Sequence, residues 1–323
     1  MKVRLNAVAA LLSVATAAIM LSIPVVAMAT TADTAVTWGV RPADNDLGDG
    51  RPNYVYSAEP GDVLSDGMVI ENYGDQPLTF RVYAADGFVT PAGSLDLLAA
   101  DEASVDVGTW VRLDDDEVTV APGQRTEVPF TVSVPDDATP GDHTGGVVTS
   151  LLVNDAEEGI TVERRLGSRM HVRVGGELAP SLAVEDLTVD YAGHGPVSTG
   201  DATVSYTVVN TGNARMSGTH AVTVAGPFGL FDVSAPSAEL PELLPGSTHD
   251  VEVVLPGVTP AVRLTATVAL APAVATGDEF VPGDAVEAAV SVWAVPWLVV
   301  GVPVVLVVWA ARRAMSRRGS PRG

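Results

Sequence analysis

Oxygen ligands and a few histidines are the candidates for chemistry in this 323-residue chain, which contains no cysteine. Asp44-Asn45-Asp46-Leu47-Gly48-Asp49-Gly50 alternates oxygen donors along a glycine-rich turn, the donor chemistry that Ca2+ takes. It departs from the EF-hand template, since Gly48 falls at a ligand position and no Glu stands at the twelfth. Asp44, Asp46 and Asp49 therefore read as a solvated turn or a weak Ca2+ site, and no other cofactor is expected. Asp114-Asp115-Asp116-Glu117 reads the same way. In Pro140-Gly141-Asp142-His143-Thr144-Gly145-Gly146, Asp142 and His143 could hydrogen-bond a glycan or a peptide; the other reading is a tight strand entry with Gly supplying unusual dihedrals. A sugar ligand also wants aromatic faces, and Tyr54 and Tyr56, two apart and so on one side of a strand, are the contacts expected if that side is open. Trp110, followed by Val111 and Leu113, reads as a packing residue. His143, His171, His194, His220 and His249 show no H-E-x-x-H spacing, and neither a G-x-S-x-G elbow nor a P-loop occurs. Forty acids leave a carboxylate pair for glycoside hydrolysis open, but the reading is non-enzymatic.

The elements that must position these groups follow from composition. All 40 acids lie between Thr30 and Ser291, where only 11 basic residues stand, all Arg. That stretch repels polyanions, so nucleic acid is excluded as a partner. Its richness in Val, Thr, Gly, Pro and Asp suits strands and turns rather than helix interiors.

The two ends are different. Residues 1–29 have a positive start (Lys2, Arg4), an apolar run and Ala27-Met28-Ala29, the layout of a cleaved signal peptide. Residues 292–311 carry no charge and are long enough for a transmembrane helix, with Trp293, Trp297 and Trp309 near its ends. Residues 312–323 form a basic tail expected in the cytoplasm. The expectation is a single-pass type I protein of the cell membrane with its ectodomain extracellular. Absent cysteines and 17 Arg against one Lys fit a bacterial surface and a GC-rich Gram-positive source.

Alternating stretches separated by turns predict an all-β ectodomain of two tandem immunoglobulin-like β-sandwiches followed by the one transmembrane helix. The sandwiches are expected over 33–175 and 179–291. Alternation is clearest over Thr126–Val134, where Pro129 belongs on an edge or at a bulge. Both halves carry a strand ending in an Asn turn, Val69-Ile70-Glu71-Asn72-Tyr73-Gly74 and Val208-Val209-Asn210-Thr211-Gly212. Each also has a later Pro-Gly turn, Ala121-Pro122-Gly123-Gln124 and Leu244-Pro245-Gly246-Ser247.

The first half adds Tyr56-Ser57-Ala58-Glu59-Pro60-Gly61-Asp62, Phe80-Arg81-Val82-Tyr83-Ala84-Ala85-Asp86-Gly87, Val107-Gly108-Thr109-Trp110-Val111 and Pro140-Gly141-Asp142-His143-Thr144-Gly145-Gly146 in order. Over residues 36–152 this resembles the extracellular part of the WxL-interacting protein family of Gram-positive bacteria. The resemblance implies an N-terminal peptidoglycan-binding domain, a second domain that contacts another cell-surface protein, and no catalysis. The expected function is therefore a membrane-anchored, non-enzymatic protein that binds peptidoglycan and a partner surface protein, with Tyr54, Tyr56, Asp142 and His143 as glycan contacts. The alternative is a structural stalk or assembly subunit that binds no glycan.

Overall fold

The computed structural model describes residues 37–155, 160–195, 198–274 and 281–318; the signal peptide expected at 1–29 lies outside them. The first half holds β1 (Trp38–Pro42), β2 (Tyr54–Ala58), β3 (Val63–Asn72), β4 (Leu78–Val89), β5 (Leu95–Leu97), a single helical turn α1 (Val107–Trp110), β6 (Val111–Leu113), β7 (Glu117–Val120), β8 (Arg125–Ser133), β9 (Gly141–Asp155) and β10 (Ile160–Val174). One sheet runs β1-β3-β8-β6 and the facing one β2-β10-β9-β4-β5, with β7 also paired to β4. Every pair is antiparallel except β2 with β10.

The second half holds β11 (Leu182–Gly193), β12 (Gly200–Asn210), β13 (Met216–Ala225), β14 (Val233–Ser234), β15 (Ala238–Leu243), β16 (Thr248–Val258), β17 (Val262–Val274) and β18 (Val286–Ala294), followed by helix α2 (Trp297–Arg318). Its sheets run β11-β12-β16 and β14-β13-β17-β18, with β15 also on β13. The fold is thus all-β and built of Ig-like sandwiches. Period-two patterning makes the cores. Along β12 every second residue is buried, so Ala202, Val204, Tyr206 and Val208 meet Val222, Val224, Leu264, Ala266 and Val268 from the opposite sheet. In the first sandwich Met68, Ile70, Phe80, Val128, Phe130, Val132 and Met170 do the same, and Trp38 Nε1 donates to Thr149 Oγ1 at 3.0 Å across the core. Pro129 lies opposite Gly67 of β3, while the β6 ladder on the other side of β8 stops at Phe130, so its missing N–H falls beyond that ladder.

The shared Asn and Pro-Gly signals form one device, used twice. Asn72 is wholly buried; its Nδ2 donates to Gln76 O (2.8 Å) and Val120 O (3.0 Å), and its Oδ1 accepts from Gly74 N. Asn210, equally buried, donates to Ala214 O (2.8 Å) and Leu243 O (2.9 Å) and accepts from Gly212 N. In each half the Asn main chain closes onto the Pro-Gly turn: Gly123 N donates to Asn72 O, and Gly246 N to Asn210 O. Those glycines have φ of +62° and +73°, where a Cβ is strained.

The transmembrane expectation is corrected. Among the described residues no helix is long and apolar enough to cross a membrane. The uncharged run of 292–311 is divided between two elements. Val292, Trp293 and Ala294 pair with Leu264, Arg263 and Val262 as the end of β18, and α2 starts only at Trp297. From there to Ala311 the apolar part would span about 22 Å at the α-helical rise, short of the ~30 Å hydrocarbon core. Arg312, Arg313, Arg317 and Arg318 continue the helix rather than forming a separate tail, and Pro303 lies inside it. The single-pass type I membrane location and the membrane as a partner fall with the span.

Replacing Asn72 by Ala strands two buried carbonyls and a turn N–H, so N72A is expected to cost about 2–4 kcal/mol in chemical denaturation. N210A is expected to cost a similar amount, and Asp at either position to fail equally because a carboxylate cannot donate. A loss below about 1 kcal/mol in both alanine variants would show that the staple is not what holds these turns.

Candidate interaction site

Tyr54 and Tyr56 share one face of β2, as their spacing predicts, but that face is closed. Both side chains are buried, and Tyr54 stands edge-on to Phe130 with ring centroids 5.2 Å apart. Tyr54 Oη donates to Gly67 O at 3.0 Å and Tyr56 Oη to Asp66 Oδ2 at 2.6 Å. Arg51 grips the same carboxylate with both Nη atoms, at 2.7 and 2.9 Å, and Asn45 Nδ2 donates to it as well. Burial works against the charge on Asp66; the bonds from Arg51, Tyr56, Gly67 and Asn45 outweigh it and hold the carboxyl below its ordinary range. Burial, reinforced by Asp66, pushes both phenols up. This cluster pins the 44–50 turn to the sandwich. Within that turn Asp44 accepts from Arg41 Nη1 (3.0 Å) and Gly50 N (2.9 Å), while Asp46 and Asp49 face solvent. Among the described residues no group of three or more His, Cys, Asp or Glu is placed to hold a metal ion.

Asp142 and His143 open β9, and the structure brings them together with residues the sequence reading did not single out. Asp142 is buried; its Oδ1 accepts from Arg173 Nε (2.7 Å), and its Oδ2 from Arg173 Nη2 (2.9 Å) and from the main-chain N of Arg215 (2.7 Å) in the second sandwich. Asp142 N donates to Asn213 O. Asn213 in turn donates through Nδ2 to Pro140 O and Glu177 O, both at 2.9 Å, and Arg215 Nη1 reaches Glu242 at 2.9 Å. A Cβ on Gly141 would strike Asn213 O, and φ there is +133°, so the segment is the tight strand entry of the two readings. It is a brace between sandwiches.

His143 lies beside this brace, against Trp110 at 4.7 Å between centroids. Its Nδ1 is 2.8 and 2.9 Å from the two oxygens of Asp106, and its Nε2 is 2.8 Å from Thr139 O. Both neighbours are acceptors, which favours the imidazolium. Burial opposes the charge, yet the Asp106 and Thr139 bonds prevail and raise its pKa. A cavity of about 200 Å³ opens here, lined by Asp106, Asp142, His143, Thr144, Asn213 and Pro245 among others. His171 lies one pair further along, with Thr144 Oγ1 at 3.3 Å from Nδ1. Burial first, then the positive charge of Arg215 and Arg169, lowers its pKa to about 4.

From this base β9 and β10 run as a hairpin paired over their whole length. Support from neighbours is partial. β4 accompanies β9 only from Gly145 to Ser150, and β2 accompanies β10 only from Met170 to Val174. Among the described residues no strand pairs with the outer edge of Ile160–Arg169. Thr149 faces the core and pairs with Leu166, so Val162, Arg164 and Leu166 share that inner face; Glu163, Arg165 and Arg169 take the outer one. Val162 and Leu166 are exposed. The missing neighbour was not readable from the sequence. The clustering on β10 of four of the 11 arginines between Thr30 and Ser291 was a visible signal.

No family model and no curated protein sequence matches the chain. Solved structures do resemble it. The fimbrial assembly "Chaperone-tip adhesin complex is vital for synergistic activation of CFA/I fimbriae biogenesis" is similar at 10% identity, covering 78% of this chain and 98% of that one, with a TM-score of 0.39. The Class 5 fimbriae chaperone CfaA is similar at 9% identity, covering 78% and 98%, with a TM-score of 0.38. A Salmonella enterica SafA pilin in complex with the SafB chaperone follows at 11%, covering 72% and 89%, with a TM-score of 0.33.

The resemblance to the WxL-interacting family is corrected: no family model matches the chain, and that family is not among the similar structures described above. Its motifs misled for a physical reason. The Asn turn and the Pro-Gly turn recur in both sandwiches because both need the same staple, so they report a fold rather than a family. The peptidoglycan-binding role, drawn from that family, is withdrawn with it, and so is the Gram-positive surface assignment that composition had suggested; the tyrosine face expected to meet glycan is core.

The histidines set an expected pH profile. His171 is depressed to about 4 from 6.5, so its contribution to stability is complete above pH 6.5 and is lost as pH falls through that window. His220, lowered by burial and then by His249, acts in the same direction. His143 is raised, so its contribution is present below pH 6.5 and is lost as pH rises through its elevated value. Denaturation midpoints should therefore drop between pH 6.5 and 4.5, and His171→Leu should flatten that drop by about 2 kcal/mol. An unchanged slope in the variant would place the acid sensitivity elsewhere.

Proposed function

We propose that the chain is a non-enzymatic assembly protein that holds a partner protein by adding one of its extended segments to the edge of β10. In this reading the chain folds as two domains that divide near Gly175–Pro180. The brace around Asp142 fixes the hairpin base, and the outer edge of Ile160–Arg169, with which no strand pairs among the described residues, offers main-chain donors and acceptors to a new strand. That free edge is the observation that carries the reading. An edge kept only for solubility is normally short, bent or interrupted by proline. This one is long, straight in register with β9, and flanked by exposed Val162 and Leu166. By contrast β16, which also borders its sheet, is interrupted by Pro256. The reading belongs to the class of activity that chaperone–subunit complexes represent, but its support is the edge and not the likeness.

Peptides selected from a random display library against the full chain are expected to protect amides of Ile160–Arg169 from hydrogen exchange while leaving β16 unchanged. Single Glu163→Pro and Arg164→Pro substitutions sample both N–H directions of the strand, and the one that removes an outward donor should abolish binding with the fold intact. Selected peptides that protect another surface, or bind the proline variants equally well, would sink the proposal.

A further inference from the structure

Among the described residues the outer edge of Ile160–Arg169 has no partner strand, and its side chains form their own complement. A second β10, set antiparallel to the first about a two-fold axis perpendicular to the sheet at Arg164, places Val162 opposite Leu166 on the inner face and Glu163 opposite Arg165 on the outer one. Each pair forms twice, as in any contact between identical surfaces. The paired stretch runs from Ile160 to Ser168 and ends two residues before Met170, where β2 takes over the edge. Residues 161–167 are all exposed. Moving the axis to either neighbouring residue sets Glu163 against its own copy or Arg165 against its own copy, and like charges directly opposite are destabilising. One register is therefore favoured.

We propose, resting on the strand-addition reading above, that in the absence of a partner segment this edge is occupied by the same edge of a second copy, joining the two β9–β10 hairpins into one continuous sheet. Main-chain bonds along the edge and the two Val162–Leu166 contacts supply the attraction. The charges select the register and leave no bare charge to neutralise. Arg165 already interacts with Tyr83, Asp96 and Glu163 of its own chain, Glu163 is engaged by the Ser150 hydroxyl, and Arg164, which meets its copy on the axis, has a partner within its own chain. Each copy carries a net charge of −22, so approach is opposed at long range and the pair strengthens as salt screens that field. A ribbon of this length is in the size class of weak, transient contacts, so the pair dissociates in the micromolar range and leaves the edge open to a partner at lower concentration.

The chain has no cysteine, so single substitutions in the full chain report the register by cross-linking. Arg164→Cys is expected to give a disulfide-linked dimer on mild oxidation, because residue 164 lies opposite its own copy at about 5 Å between Cβ atoms. Val162→Cys and Leu166→Cys should each stay unlinked alone and link when mixed. Sedimentation velocity of the unmodified chain should show a dimer that grows with concentration and from low to physiological salt, while hydrogen exchange slows at Ile160–Ser168 and not on β16. Glu163→Arg and Arg165→Glu should each weaken the dimer about tenfold and form it again when the two variants are mixed. Cross-links in another register overturn the proposal, as does self-association that leaves exchange at Ile160–Ser168 unchanged, the result expected if the exposed valines of α2 pair instead. A chain that stays monomeric while selected peptides protect Ile160–Arg169 removes the second copy and leaves strand addition standing; if neither copy nor peptide protects that stretch, both proposals fall. A dimer on β10 that no peptide displaces supports this proposal and removes the partner protein.

Discussion

A carboxylate removed from water has to be surrounded by donors, and Asp142 meets that requirement with groups from two places in the chain. Arg173 lies directly across the β9–β10 ladder, so the ion pair closes the base of the hairpin. The main-chain N–H of Arg215 comes from the second sandwich, so the same two oxygens set where that sandwich meets the first. Asn213 completes the arrangement through Pro140, Glu177 and Ala179, all of it main-chain bonding that a single side chain can satisfy only in one geometry. The direction of the hairpin is therefore fixed by the junction between sandwiches.

That fixed direction gives the free edge its meaning. Natural sheets rarely leave a long strand unpaired, because unpaired main-chain groups beside exposed apolar side chains invite association. Here β2 starts only at Tyr54, opposite Met170, because Tyr54 and Tyr56 are pulled into the core by Gly67 and Asp66, and the chain before them turns away through the Arg51–Asp66 fork. The cluster that defeats the glycan reading of the tyrosines is the same one that keeps β2 short. An edge is exposed on β10 because a neighbouring strand is anchored elsewhere.

How much of this was legible follows the range of the interactions. Strand positions came through because alternation is local: the run read as the clearest is β8, Arg125–Ser133, displaced only at its ends. The repeated Asn and Pro-Gly turns came through because each device sits in two short segments. What the sequence concealed is pairing between distant residues. Tyr54 and Tyr56 look alike on an open or a closed face until Phe130 and Asp66 are known to lie against them. Asp142 looks like a loop ligand until Arg215 is placed beside it. The 292–311 run reads as one apolar span because hydropathy does not register that Val292–Ala294 complete a ladder with β17.

Charge is the one property whose long-range and short-range readings disagree, and distance settles which applies at the edge. Summed over the chain, 40 acids give a field that disfavours another acidic molecule. At physiological ionic strength that field decays over about 8 Å. The hairpin carries five residues past Ser150, the last rung shared with β4, and at about 3.4 Å per residue this is about 17 Å, or two such lengths. Toward its tip the hairpin feels its own side chains more than the body, and Arg164 and Arg165 stand where the overhang begins. Approach to the body is governed by the net charge, whereas contact with the strand is governed by the few residues within reach of it. The arginines of β10 do not lie as far out as the tip: Arg165 stands opposite Ser150 and Arg169 opposite Gly146, rungs that β4 shares, so they remain within the field of the body.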